Sequence, residues 1–294
     1  ANVASNSREL CIREQSKQRG TGKAHPMIIE WNAHMFSRDT TRYPFHPRAA
    51  YLPDPADWSA DPLADYLAHM AATGIDKAVL VHPEPYGDDH RLVLDCLQRE
   101  PTRFLATSLF YPSDADAPQK LSDLVRQEPK IIATRFHAHR GTQAYLDSFT
   151  EPGVRALWEV AGELGLLIEL HIGPNYAREV ADVICAYPTY PVLIDHLAEP
   201  LMGNPIEFAD VLALAEFDNV YMKLSGLSHF SNDAPLYLEA KPFTRWVVDA
   251  FGPERLVWGS GTPQIVDAHL AHLSETDRDK VKGGNLAHLL PFRG

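Results

Sequence analysis

Imidazoles, a guanidinium and an amine stand at the ends of short apolar runs in this chain, where each could bind a ligand or move a proton. The run Met27-Ile28-Ile29-Glu30-Trp31 leads into Asn32 and His34. Residues two apart share a face of a strand, so Asn32 and His34 are expected to point the same way with Glu30 below them. Other runs lead into His82, with Glu84 and Tyr86 just beyond, into Arg135, His137 and His139, into Glu169 and His171, and into Asp195 and His196. Two more lead into Lys223 and Ser225 and into Ser260-Gly261-Thr262. Histidine titrates near neutral pH and is the commonest metal ligand, so such a set suits acid–base chemistry or a metal centre. One histidine alone is more often a packed residue; the shared position of several is what points to chemistry.

Two cations sharpen the picture. Arg135 sits inside Ile-Ile-Ala-Thr-Arg-Phe-His and, if it faces inward, needs an anion. That anion is either Glu169 on the neighbouring strand or a substrate carboxylate, which a guanidinium fork grips in bidentate fashion. Lys223, in Tyr-Met-Lys-Leu-Ser-Gly, suits a structural or substrate-anchoring role better than a Schiff base.

The apolar runs that carry these groups predict strands at 27–32, 77–82, 104–110, 131–137, 166–172, 191–197, 220–225 and 256–260. Amphipathic stretches predict helices near 60–73, 88–99, 116–127, 151–164, 176–187, 205–216, 234–251 and 266–290, the last one broken. Gly74, Gly165 and Gly252 suit helix C-caps, and Asn204-Pro205 suits a helix start. Strand–helix alternation with near-continuous apolar strands implies parallel strands covered by helices. Eight such units predict an α/β fold, a single (β/α)8 TIM barrel, with residues 27–294 as one catalytic domain. An open doubly wound sheet would favour a Gly-rich loop after the first strand, which is absent. The proline-rich stretch 35–60 follows the first strand and is expected to wall or lid the mouth of the barrel.

Residues 1–26 are polar and predict a loosely attached extension. The net charge of −12 argues against nucleic acid or an anionic membrane as partner. It leaves room for a small anionic substrate held in a local basic pocket, and for a homo-oligomer. Cys11, Cys96 and Cys185 form no zinc or disulfide pattern, which with the lack of any run of roughly 20 apolar residues suggests a cytoplasmic setting.

Taken together, Ile29-Glu30-Trp31-Asn32-Ala33-His34, Leu170-His171, Leu193-Ile194-Asp195-His196-Leu197, Leu256-Val257-Trp258-Gly259-Ser260-Gly261-Thr262-Pro263 and Gly283-Gly284-Asn285 resemble the amidohydrolase superfamily. The likeness is to its amidohydrolase-2 branch, which holds lactonases acting on pyrone dicarboxylate, muconolactones and sugar lactones, besides decarboxylases and hydratases. The resemblance implies a metal or lactone site built from a strand-one Asp-x-His-x-His, histidines of strands five and six, and a strand-eight aspartate. Here the first histidine of the pair is Asn32 and the aspartate position is Gly261. An amide is a poor zinc ligand and glycine has no side chain, so no tightly bound metal cofactor is expected, although His34, His171 and His196 would still offer three ligands for a divalent metal.

The resemblance implies hydrolysis of a small carboxylated lactone. Arg135 would hold the carboxylate, His34, His171 and His196 would orient or polarise the carbonyl, and Asn32 would donate to the oxyanion. His82, Tyr86, Lys223, Ser225 and Thr262 would complete the substrate contacts. The base is open, with His137 or His196 as candidates. Gly261 marks either chemistry moved to other groups or a disabled chain, since loss of the aspartate would carry little steric penalty. A metal-free lyase, dehydratase or isomerase, and a non-catalytic ligand-binding descendant, are the rival functions.

Overall fold

In the computed structural model, which describes residues 26–138 and 145–292, eight parallel strands follow one another in sequence order around a barrel. They are β1 (Ile29–Ala33), β2 (Lys77–Leu80), β3 (Phe104–Leu109), β4 (Ile131–His137), β5 (Leu167–His171), β6 (Val192–Ile194), β7 (Val220–Leu224) and β8 (Leu256–Trp258). Ladders join each strand to the next from β1 to β8. The seam between β8 and β1 is bridged by other means. The Ser260 N–H donates to Glu30 Oε1 at 3.0 Å. Gly259 lies so close to the Trp31 carbonyl that an added Cβ would fall 2.0 Å from its oxygen.

Among the described residues, seven helices cover the strands: α1 (Pro62–Thr73), α2 (Arg91–Arg99), α3 (Ala117–Gln127), α4 (Pro152–Glu163), α5 (Ala177–Ala186), α6 (Phe208–Ala213) and α7 (Lys241–Phe251). Gly74 ends α1 in the left-handed region, where a Cβ would be strained. Asn204 and Glu207 form a reciprocal capping box, as the Asn-Pro pair predicted for a helix start. The stretch expected as a broken helix over 266–290 is α8 (Gln264–His269), α9 (Glu275–Asp279), a π turn and α10 (Asn285–Leu289). Asn285 Nδ2 donates to the carbonyls of Pro253 and Leu256 and ties α10 beneath β8.

The core has two layers. Ile29, Trp31, Val79, Leu105, Leu193 and Val257 fill the barrel, with Leu286 and Leu290 below them. The larger shell between strands and helices is built on the other strand face. The polar extension expected over 1–26 lies outside the described residues but for Pro26, as does His139. No helix among the described residues is long and apolar enough to cross a membrane.

Candidate active site

Strand β1 departs from simple alternation, and the departure shapes the site. The β1–β2 register shifts between Trp31 and Ala33, which leaves Asn32 as an extra residue in a bulge. Trp31 therefore faces the barrel interior, its Nε1–H bonded to Glu169 at 2.9 Å, while Asn32 also turns to the mouth. Glu30 does not sit below Asn32 as expected; it bonds Tyr66 of α1 and the backbone of Ser260.

A cavity of about 340 Å³ opens at the C-terminal end of the strands, lined by Asn32, His34, Arg135, His137, His171, His196 and His229. A larger cavity of about 880 Å³ lies elsewhere, lined by Met27, Lys77, Phe104 and Phe292, and brings together none of these groups. The smaller one is the candidate site. Its outer wall is Phe36, Tyr51, Leu52, Pro53, Asp54 and Asp57, from the proline-rich stretch. That wall is latched by Glu84, whose two carboxylate oxygens each accept from the Ala50 N–H at 3.0 Å. Burial pushes the Glu84 carboxyl up to about 7.

Beneath the mouth lies a buried charged floor. Lys223 is fully buried and reaches Glu169 at 2.6 Å and Asp195 at 2.7 Å. Arg135 donates to Asp195 Oδ2 from Nε at 2.9 Å and from Nη2 at 2.7 Å. Glu169, the partner expected from strand order, is 3.9 Å from the guanidinium. Burial and the nearby Asp195 charge raise the Glu169 carboxyl; burial also acts upward on Asp195, but Lys223 and Arg135 outweigh it and hold Asp195 low.

Lys223 thus has the contacts of the structural alternative expected for it, and it also orients a neighbour. It donates to Asn32 Oδ1 at 3.3 Å. An ammonium can only donate, so the amide oxygen must face it and the Asn32 NH2 is turned the other way. Arg135 Nη2 likewise donates to His171 Nδ1 at 3.1 Å, which places the His171 proton on Nε2, bonded to Glu199 at 2.9 Å. His34 donates from Nδ1 to the Val81 carbonyl at 2.9 Å. Burial, with the Arg135 charge next, lowers it to about 3, so it is neutral at pH 7 and its Nε2 is an acceptor. An acceptor cannot polarise a carbonyl, which removes His34 from that expected role.

The remaining predicted residues divide. His137 lines the mouth, its ring edge-on to His171 at 4.7 Å. His82 donates from Nε2 to the Gly87 carbonyl and Tyr86 accepts from the Ser37 N–H; both are buried behind the wall and hold it, instead of meeting substrate. Ser225 is buried and bonds His196 Nδ1 at 2.7 Å, so it reaches the mouth only through that ring. Lys223 and Thr262 are not among the lining residues.

Gly261 is also displaced from the mouth. It lines a separate pocket of about 100 Å³ with Ser225, Ser260 and Tyr237. Its φ is +80°, and an added Cβ would stand 2.7 Å from Ile265 Cδ1. The steric penalty that the sequence suggested was small is therefore real. Gly261→Asp is expected to lose about 1–2 kcal/mol of stability and to give no gain in hydrolysis, measured by urea midpoint and rate. A faster enzyme would show that the glycine disables an otherwise intact site.

Two lining or supporting residues were not singled out in the sequence, Glu199 and His229. With His171 and His196 they form, among the described residues, a group that could hold a metal, with ligand atoms within 4.8 Å of one another. The set implied by the resemblance does not fit a metal, because Asn32 is held by Lys223 and Gly261 lies elsewhere. The second set does not fit in its present hydrogen bonding either. His171 carries its proton on Nε2, aimed at Glu199, and a metal there would need that proton moved to Nδ1, against an Arg135 N–H.

The comparisons agree with this architecture. The chain is 29% identical over 233 residues to a 4-sulfomuconolactone hydrolase of Hydrogenophaga intermedia, covering 78% of this chain and 72% of that one. It is 29% identical over 201 residues to an L-fucono-1,5-lactonase of Burkholderia ambifaria, covering 66% of this chain and 67% of that one. A zinc-bound amidohydrolase structure from Burkholderia multivorans superposes with a TM-score of 0.66 at 18% identity, covering 90% and 98% of the two chains. The family model described as amidohydrolase matches residues 24–292. The chain belongs to the amidohydrolase family.

Proposed function

We propose that this protein opens a small carboxylated lactone by adding water across its ring ester, without a metal. The observation that carries the reading is the pairing, in one cavity, of a cationic anchor with an oriented amide donor. Arg135 lines the mouth, and its Nη1 makes no hydrogen bond among the described residues. Asn32 lines the same mouth with its NH2 turned away from Lys223. Arg135 would take the carboxylate, and the Asn32 N–H would donate to the oxygen that becomes negative as water adds to the carbonyl. The relatives that act on a sulfomuconolactone and a fuconolactone support the cyclic ester.

The test is hydrolysis of matched lactones with and without a carboxylate, in 18O-labelled water. The expected result is labelled product and a kcat/KM about 10- to 100-fold higher for the carboxylated member, the worth of one charged hydrogen bond. A chelator is expected to leave the rate unchanged. Product without label would mean a lyase or isomerase, equal rates on both lactones would remove Arg135 as anchor, and loss of rate with chelator would remove the metal-free mechanism.

A further inference from the structure

The outer wall of the mouth hangs on one short turn. Glu84, Pro85 and Tyr86 follow β2, and each takes a backbone N–H of the wall. The Ser37 N–H donates to Tyr86 Oη at 3.0 Å, the His46 N–H to the Pro85 carbonyl at 2.7 Å, and the Ala50 N–H to both Glu84 oxygens at 3.0 Å. We infer that Glu84 is a positioning residue for substrate binding, a releasable latch that sets residues 51–57 over the mouth and holds tightest when its carboxyl is protonated. The inference rests on the lactonase reading above for the reaction it serves, and adds what keeps that pocket closed.

The place of the latch along the chain is the first support. Of the three points, the Ala50 contact is the one that adjoins the cavity. Tyr51, Leu52, Pro53, Asp54 and Asp57 follow it and line the mouth. Tyr51 stacks on His137, with ring centroids 5.9 Å apart and planes 25° apart, and its N–H also bonds Glu84. The far end of the stretch is fixed without Glu84. There the Ser59 N–H donates to the Phe36 carbonyl at 2.9 Å and the Arg38 N–H to the Ser59 carbonyl at 2.8 Å. The part before Ala50 is fixed as well, since Arg48 forks onto Asp114 and lies over the Tyr111 ring at 3.8 Å. Loss of the Glu84 contact therefore frees 51–57 at one end and leaves the rest of the wall attached.

The chemistry of the latch is the second support. A neutral acceptor would hold the Ala50 N–H too, so a buried carboxyl calls for a reason. Glu84 is fully buried and pairs with no cation among the described residues. Arg135 on β4 acts on it from a distance, and Tyr51 of the wall, Tyr111 beyond β3 and Tyr145 before α4 are the other titratable groups around it. Burying an ionised carboxyl without a paired cation is costly, and that cost raises Glu84 from an ordinary 4.5 to about 7. With the wall lifted, water reaches the carboxyl and returns it to its ordinary range. The closed wall thus binds the proton more tightly than the open one. Closure is strongest below about pH 4.5, weakens as pH rises to about 7, and is level above that. Arg135 and Asn32 stand on β4 and β1 and not on the wall, so the latch bears on KM and leaves the chemical step alone.

The experiment pairs hydrogen exchange with kinetics on the full chain. Exchange protection of residues 50–58, corrected for the intrinsic pH dependence of exchange, is expected to fall about 10-fold from pH 5 to pH 7 in the wild type. In Glu84→Gln, whose amide oxygen still accepts from Ala50, it is expected to be independent of pH. Glu84→Leu is expected to lose that protection and to raise KM for a carboxylated lactone about 10-fold, with kcat within about threefold, and Glu84→Gln to restore both. Wall protection that is constant from pH 5 to 7 in the wild type, or unchanged KM and wall protection in Glu84→Leu, would overturn the inference. So would a loss of protection in Glu84→Leu that extends equally to the β3 amides, since Glu84 would then support the core and not the wall. If the wild type opens no lactone, the lactonase reading fails, while exchange at the wall still decides the latch.

Discussion

Replacing Lys223 by methionine is expected to cost about 3–5 kcal/mol of folding stability, the range seen when one partner of a buried ion pair is removed. Glu169 and Asp195 are both fully buried, and Lys223 stands between them at 2.6 and 2.7 Å. Without the ammonium, two carboxylates share one guanidinium, which hydrogen-bonds Asp195 and leaves Glu169 at 3.9 Å. Glu169, already raised by burial, would take up a proton to escape the charge, and Trp31 Nε1 would then face a weaker acceptor. Against a total stability of roughly 5–15 kcal/mol, this is the largest single loss expected in the barrel. A urea titration followed by circular dichroism measures it. The double variant Lys223→Met with Glu169→Gln removes opposite charges together and is expected to recover part of the loss. If Lys223→Met alone fell within about 1 kcal/mol of wild type, the charged floor would not be what holds β5, β6 and β7 in place.

Lys223 also shows what the sequence carried and what it withheld. The eight strands, their parallel order and the mouth position of Asn32, His34, Arg135, His137, His171 and His196 were legible, because strand periodicity and barrel topology fix which end of each strand holds the site. Contacts between non-neighbouring strands were not. Arg135 and Glu169 are paired in the β4–β5 register, yet the guanidinium reaches past β5 to Asp195 on the far side. Alternation failed at Asn32 because a bulge inserts one residue, and period-two reasoning has no signal for that. Glu199 was hidden for a similar reason. Pattern reading places residue 199 in a loop after β6, and only the left-handed turn, which residue types without glycine do not announce, returns it to His171 and His229. His82 and Tyr86 look like site residues by position but turn behind the wall, where they brace the residues that form it.

Acid should unfold this protein in two stages, and the sign of each buried group says why. Burial lowers His82 to about 4, and lowers His90 and His196 well below the ordinary value near 6.5. Each is neutral in the fold and charges more readily when unfolded, so the stability they contribute is complete above pH 6.5 and drains away as pH falls toward 4 and below. For His82 alone, lowered to about 4, this is on the order of 3 kcal/mol. Glu84, raised to about 7, and Glu169 act the other way. They bind protons more tightly in the fold, so acidification from pH 7 to about 4.5 relieves the cost of their buried charge. The histidines outnumber them, so the urea midpoint is expected to decline gently from pH 6.5 to 4.5. Below that the two glutamates are protonated in both states and offer no further relief, while Asp195, held low by Lys223 and Arg135, stays ionised in the fold as its unfolded counterpart takes up a proton, and the decline steepens. His82→Gln, which can still donate to the Gly87 carbonyl, is expected to flatten the curve between pH 6.5 and 4. A curve between pH 6.5 and 4 that His82→Gln leaves unchanged would mean that the His82 ring is charged in the fold.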